Sequence, residues 1–213
     1  MTAKRHTSKK VSTPSHREVV HIFVYGTLRS KAKAAERNLL TASGTHVGIG
    51  RVTSARLYLG KYPYAVPERD GGGELVGELY RLPPTTLPDL LRKLDMYEEY
   101  YPHDIPGSLY RREVVQVRVG KERIPAWIYW YNRPLRSVYP LSHGNYLKSQ
   151  MHVVPDGSRW AVKMAGVRKA TASMPSKSEA VRAARKLASK DRMMLVIHGR
   201  DGRIQERIPA DKD

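Results

Sequence analysis

From Ser108 to Asn132 the chain reads SLYRREVVQVRV, then GKE, then RIPAWIYWYN. Two runs rich in Val, Ile, Tyr and Trp around a short glycine-containing turn predict a β-hairpin. Similar runs precede it. VVHIFVY, from Val19, reads as a short buried strand. The stretch from Thr45 to Tyr64 alternates loosely, as an extended strand or hairpin would. ELVGELYRL follows the turn RDGGGE, whose glycines tolerate positive φ. Two helices interrupt this pattern. One is expected over Ala32 to Leu40; the other, TTLPDLLRKLDMYEEY, begins after Pro83-Pro84 and is closed off by Pro102. The region from 19 to 148 is therefore expected to be β-rich with two helices, built on a small closed or strongly curved sheet.

A second unit, 150–213, has a different rhythm. MHVVP, SRWAVKM and VRKATASM read as three strands. Ser176 to Glu179 forms a capping-box pattern that opens an amphipathic helix through EAVRAARKLASK. MMLVIHG and GRIQERI then read as two strands around an RDG turn. The expected class is α+β throughout, a small β-barrel with flanking helices followed by a compact α+β module. A module of about 60 residues can fold alone, though marginally.

Residues 1–18 contain almost no large apolar side chain and are rich in Lys, Ser, Thr and His, which predicts a disordered basic tail. The chain has no cysteine, which excludes disulfides, thiolate metal sites and cysteine nucleophiles. No apolar run is long enough for a transmembrane helix, and the basic N-terminus lacks the apolar stretch of a secretory signal, so a cytoplasmic protein without membrane contact is expected. Lys and Arg number 38 against 20 Asp and Glu, a net charge of +18. That excess attracts polyanions and admits a weak nucleic-acid contact through the tail and the C-terminal module. It is spread along the chain, however, as a merely basic solvated surface would be. The helix carrying Arg182, Arg185, Lys186 and Lys190 has the same two readings. His152 and His198 read as lone histidines with strand-end structural roles rather than metal ligands. No metal site and no cofactor are expected, and the sequence leaves the oligomeric state undetermined.

Two local patterns point to chemistry. In HIFVYGTLRS the strand stops at Tyr25, and Gly26, Thr27 and Leu28 follow. Successive backbone N–H groups beyond the end of a ladder can bind a carboxylate or an oxyanion, and glycine permits a close approach. On local pattern alone a plain tight turn is the more economical account, and the sequence leaves the role of Arg29 open, a surface charge beside the loop being one reading. The second pattern is Leu87, Leu91, Leu94 and Glu98, stepping by helical intervals along one face. A carboxylate on an apolar face has its pKa raised toward neutrality, which suits proton transfer. The competing reading is a solvated helix end, paired with Arg111 or Arg112. Asp95 and Glu99 are expected on the surface of the same helix.

Taken together, FVYGTLRS at 23–30, GELVGELYRL at 73–82, LDMYE at 94–98, LYRREVVQV at 109–117, AWIYWY at 126–131 and PLSHGNY at 140–146 resemble the γ-glutamylcyclotransferase-like superfamily. That superfamily includes γ-glutamylamine cyclotransferases and plant avirulence-induced-gene-like proteins. The resemblance implies a barrel with a cavity at one mouth. It implies substrate donors at Tyr25, Gly26, Thr27 and Leu28, Glu98 as the acid/base, and Tyr110 and Tyr139 lining the cavity. The implied reaction releases 5-oxoproline and a free amine from a small γ-glutamyl compound, without metal or nucleotide. EEYYPHDIPGSLYRR is longer than compact versions of the family and is expected to border the cavity. The alternative is a non-catalytic protein whose barrel binds a ligand while the basic C-terminal module engages nucleic acid. Residues 151–213 resemble a small, widespread bacterial family of unknown function.

Overall fold

The computed structural model describes residues 19–29, 37–60, 62–68, 70, 72–136, 138–141, 143–165, 167–190 and 193–208, with backbone only at 37, 139 and 190. The expected tail at 1–18 and the expected start of the first helix lie outside these residues. The strands of the first unit are β1 (His21–Val24), β2 (Thr45–Leu59), β3 (Pro63–Pro67), β4 (Gly73–Arg81), β5 (Tyr110–Val119), β6 (Glu122–Tyr131) and β7 (Tyr139–Pro140). Its helices are α1 (Arg37–Ser43) and α2 (Leu87–Tyr97), and it closes on a 3-10 turn at Tyr146–Ser149. The hairpin read at 108–132 is β5 and β6, in register from Tyr110 opposite Tyr131 to Val119 opposite Glu122.

Five strands close a barrel in the order β2-β4-β1-β6-β5, and β5 returns to β2 through Arg118 opposite Arg51. The 15 residues of β2 reach both neighbours, because register shifts at His46/Gly48 and Thr53/Ala55 bend and twist it. Its far half leaves the barrel and pairs with β3. Alternation divides the apolar side chains between two cores. Phe23, Ala126, Ile128 and Trp130 belong to the cluster with Leu57, Leu75, Leu79 and Val117. Their neighbours Ile22, Val24, Trp127 and Tyr129 join Leu40, Leu82, Leu87, Leu90 and Leu94 in the cluster under the helices.

Inside the barrel, Gly50 on β2 sits opposite Gly77 on β4. A Cβ on Gly50 would lie 2.5 Å from Val117 Cγ1 and 3.1 Å from the Phe23 ring. A Cβ on Gly77 would lie 2.4 Å from the Val24 carbonyl oxygen and 2.5 Å from Phe23 Cζ. The paired glycines thus leave the room that Phe23, the sole phenylalanine of the chain, occupies.

The second unit contains β8 (Gln150–Asp156), β9 (Arg159–Met164), β10 (Ala172–Met174), α3 (Lys177–Lys190), β11 (Met194–His198) and β12 (Ile204–Ile208), with sheet order β10-β9-β8-β11-β12. The capping box is realised at its first bond, with the Glu179 amide donating to Ser176 Oγ at 3.2 Å. Ala180, Ala184 and Ala188 form the buried stripe of α3, against Val153, Trp160, Leu195 and Ile197. Met194 and Val196, the alternate residues of β11, belong instead to the barrel's cluster with Leu141 and Tyr146. One sheet face is thus covered by α3 and part of the other by the first unit, so the module's core is not self-contained. Among the described residues no helix is long and apolar enough to cross a membrane.

Gly50→Ala is expected to lower stability by about 1–3 kcal/mol through overpacking, read by urea denaturation. Val117→Ala in the same chain should recover part of that loss. Gly77→Ala, facing a backbone oxygen, should not be recovered by trimming a side chain.

Candidate active site

α2 begins with a proline in its first turn, Pro88, where a missing N–H costs nothing. Leu87, Leu90 and Leu94 bury its apolar face. The helix ends one residue earlier than the leucine spacing suggests, because Glu98 is its C-cap. Tyr100 N–H donates to Asp95 C=O at 2.8 Å, and Glu99 N–H donates to Met96 C=O at 3.3 Å. These are the two bonds of a Schellman ending, with Glu99 left-handed at φ 49°.

This ending delivers Glu98 to a cavity of about 150 Å³. Phe23, Val24, Tyr25, Gly26, Thr27, Leu28, Tyr62, Pro63, Tyr97, Glu98, Glu99, Leu109, Tyr110 and Tyr129 line it. The strand-end loop and the helix-end carboxylate, about 70 residues apart in the chain, therefore meet. Among the described residues Glu98 has no side-chain hydrogen bond or ion pair, since Arg111 binds Glu113 and Arg112 binds Asp95. Burial pushes its carboxyl up from the ordinary glutamate range to about 8. The negative end of the α2 dipole acts in the same direction.

In the loop, Arg29 N–H returns to Gly26 C=O at 3.3 Å, which makes the turn. Among the described residues the amides of Gly26, Thr27 and Leu28 donate no backbone hydrogen bond. Glycine is required at position 26 by packing, because a Cβ there would lie 2.7 Å from Pro63 Cγ. Tyr25 is buried and donates its phenol to the Tyr129 carbonyl at 2.8 Å. Burial, with the charge of Glu98 second, raises its pKa well above the tyrosine range, so it stays protonated. Tyr110 donates to the Pro63 carbonyl at 3.4 Å, and burial raises its pKa as well. Thr27 Oγ1 and the Tyr97 hydroxyl lie 3.2 Å apart.

Arg29 is not a surface charge. It is buried, 3.4 Å from the Glu78 carboxylate, and donates to Asn145 Oδ1 at 2.8 Å. Asn145 also accepts the Leu147 amide at 3.2 Å, and Glu78 accepts the Tyr80 hydroxyl at 2.9 Å. The guanidinium thus ties the loop to β4 and to the closing segment. Asp95 also departs from expectation. It accepts both Arg112 bonds, at 2.9 and 2.8 Å, and the Tyr129 hydroxyl at 2.6 Å. Arg112 in turn lies over the rings of Trp127 and Tyr100. Helical spacing places Asp95 away from Glu98, but the β5–β6 hairpin covers that side of the helix.

Of the residues read from sequence, Tyr25, Gly26, Thr27, Leu28, Glu98 and Tyr110 come together. The side chain of Tyr139 lies outside the described residues, and its backbone pairs with Leu59 on β2. The long segment after Glu98 borders the cavity only at its ends. Its middle folds on itself around Ser108 Oγ, which accepts from the Tyr101 amide and donates to the Asp104 carbonyl, each at 2.8 Å. Tyr129 and Tyr97 are cavity residues that sequence reading missed; both sit in runs legible only as strand and helix. The two histidines of the module are not lone. His152 Nδ1 and His198 Nε2 lie 3.0 Å apart, with His198 Nδ1 2.9 Å from the Gly202 carbonyl oxygen. Among the described residues no cluster of His, Asp and Glu could hold a metal ion.

Because the Glu98 pKa is raised on folding, its ionisation opposes folding, and stability falls from about pH 4.5 to about pH 8. Glu98→Gln removes that pH dependence. Its melting temperature should exceed the wild type's by more at pH 9 than at pH 5, the gap reflecting a few kcal/mol, on the order of 2–5. Arg29→Met should cost about 3–5 kcal/mol by taking the guanidinium away from the buried Glu78. Arg29→Met with Glu78→Gln should recover most of it in the same denaturation experiment.

Residues 22–148 match the family described as gamma-glutamyl cyclotransferase, AIG2-like. Residues 151–208 match a family described as an uncharacterized protein conserved in bacteria. The chain is 34% identical over 131 residues to a gamma-glutamylcyclotransferase family protein, ytfP, of Citrobacter rodentium, covering 60% of this chain and 96% of that one. The Escherichia coli K12 counterpart is 33% identical over the same coverage. A solution structure of protein ytfP from Escherichia coli covers 60% of this chain and 96% of its own, at 30% identity and a TM-score of 0.43. An aig2-like protein from Mus musculus covers 52% of this chain and 76% of its own, at 27% identity and a TM-score of 0.42. Over residues 22–148, with a strand-end loop facing a helix-end carboxylate across one cavity, this chain belongs to the γ-glutamyl cyclotransferase, AIG2-like family.

Proposed function

We propose that the chain is a γ-glutamyl cyclotransferase that converts a γ-glutamyl amine to 5-oxoproline and the free amine, with Glu98 as general acid/base. The observation that carries this reading is that Glu98, without a side-chain partner among the described residues, meets the strand-end loop across one cavity, where burial pushes its carboxyl up to about 8. A γ-glutamyl compound brings its own nucleophile. Folding it places the α-amine beside the γ-carbonyl carbon, and intramolecular attack gains a large effective molarity.

The free loop amides fit two roles, holding the substrate and stabilising the oxyanion of the tetrahedral intermediate. A substrate α-ammonium entering the cavity favours the ionised form of Glu98, which then removes a proton from it. The amine nitrogen bonds to the γ-carbonyl carbon. Collapse breaks the bond from that carbon to the leaving nitrogen, and Glu98 returns its proton to that nitrogen. The re-ionised Glu98 then takes the second proton from the ring nitrogen and passes it to the departing amine, so that 5-oxoproline and an ammonium leave and Glu98 is again ionised. Tyr25 and Tyr110, held protonated, shape the walls without competing for that proton.

The test is 5-oxoproline formation from a panel of γ-glutamyl amines by the purified chain. For the best substrate, kcat/KM should rise with pH and level off above about pH 8, because the free enzyme must present ionised Glu98. Glu98→Gln should lower turnover by about 10²–10⁴-fold with an unchanged circular dichroism spectrum. Undiminished turnover in that variant overturns the assignment.

A further inference from the structure

The described lining of the cavity contains two carboxylates, Glu98 and Glu99, and no lysine or arginine, on a chain of net charge +18. The nearby cations are already engaged, Arg111 with Glu113 and Arg112 with Asp95. Glu99 is exposed at the cavity and has no ion pair or side-chain hydrogen bond among the described residues. It stands beside the negative end of α2, which adds to the attraction for a cation. Tyr62 and Tyr97 line the same cavity, and tyrosine faces also favour an ammonium group. Finally, Glu99 occupies a left-handed C-terminal position where glycine would be unstrained, so the carboxylate stands there at a backbone cost.

We propose that Glu99 makes this cavity selective for γ-glutamyl conjugates whose leaving amine carries a second ammonium and no carboxylate, that is, conjugates of alkyl diamines. The inference rests on the cyclotransferase reading above and names its substrate class. Glu98 handles the proton at the reacting nitrogen. Glu99 holds the distal charge of the leaving group. The γ-glutamyl end, with its own carboxylate, is left to the loop amides.

Three conjugates of nearly equal length separate charge from size: γ-glutamyl 1,4-diaminobutane, γ-glutamyl n-butylamine and γ-glutamyl 4-aminobutyrate. The expected order of kcat/KM is cation, then neutral, then anion, with roughly three- to tenfold between steps. In Glu99→Gln the ratios should fall to near one. A wild-type ratio near one, or ratios unchanged by Glu99→Gln, overturns the proposal. An equal loss on all three conjugates also overturns it, because it assigns Glu99 to the shared α-ammonium or to the fold. Calorimetric binding of free 1,4-diaminobutane against n-butylamine gives a readout independent of turnover. A preference for the diamine that Glu99→Gln abolishes supports the cation site even if no conjugate is turned over, in which case the cyclotransferase reading alone fails. Absence of that preference counts against the proposal whatever the turnover. Glu99→Gly, which relieves the left-handed backbone, should raise the melting temperature while losing the charge discrimination.

Discussion

The site depends on how Phe23 is seated inside the barrel. Its ring occupies the space left by Gly50 and Gly77, which face each other on β2 and β4. With the ring so placed, β1 can lie between β4 and β6 and end with its last residues turned toward the cavity. The same ring is part of the cavity wall. Closure of the sheet and position of the loop are therefore one packing problem. Pro63, from the β3 arm of β2, then presses on Gly26 and sets the loop from the other side.

Around this packing the polar groups act as ties. Arg29, Glu78 and Asn145 join the loop, β4 and the closing segment in one buried network. Asp95, Arg112 and Tyr129 do the same for α2 and the β5–β6 hairpin. Both networks end beside the cavity, and each fixes one of its two chemical partners. Within this frame Glu98 has no side-chain polar partner among the described residues, and burial perturbs its carboxyl accordingly. A carboxyl perturbed in this way in a cleft is the arrangement expected of a proton-transfer site.

Much of this is legible in the sequence. The β5–β6 hairpin, the RDGGGE turn, the order of elements in the second unit and the approach of the loop to Glu98 all follow from pattern or resemblance. The burial of Arg29 does not, since its partners lie 49 and 116 residues away. Asp95 misleads for a similar reason. Helix periodicity assigns it a face but not what covers that face, and Arg112 and Tyr129 come from another element. Helical spacing in the sequence favours Leu91, whereas Leu90 is the buried residue, a shift that the early helix end makes unimportant for Glu98. The histidine pair joins two parallel neighbours, β8 and β11, and parallel pairing leaves no local signature in the chain.

β11 serves two cores at once, sending Leu195 and Ile197 toward α3 and Met194 and Val196 toward the barrel. Nothing loose separates the two units either, because the 3-10 turn ends at Ser149 and β8 starts at Gln150. The C-terminal unit is thus not a tethered passenger free to swing about a linker. Cut away at Gln150, it would present a naked apolar strip to water and would be driven to cover it by self-association. What looks in the sequence like a modular fusion is, in its packing, a graft with no removable joint.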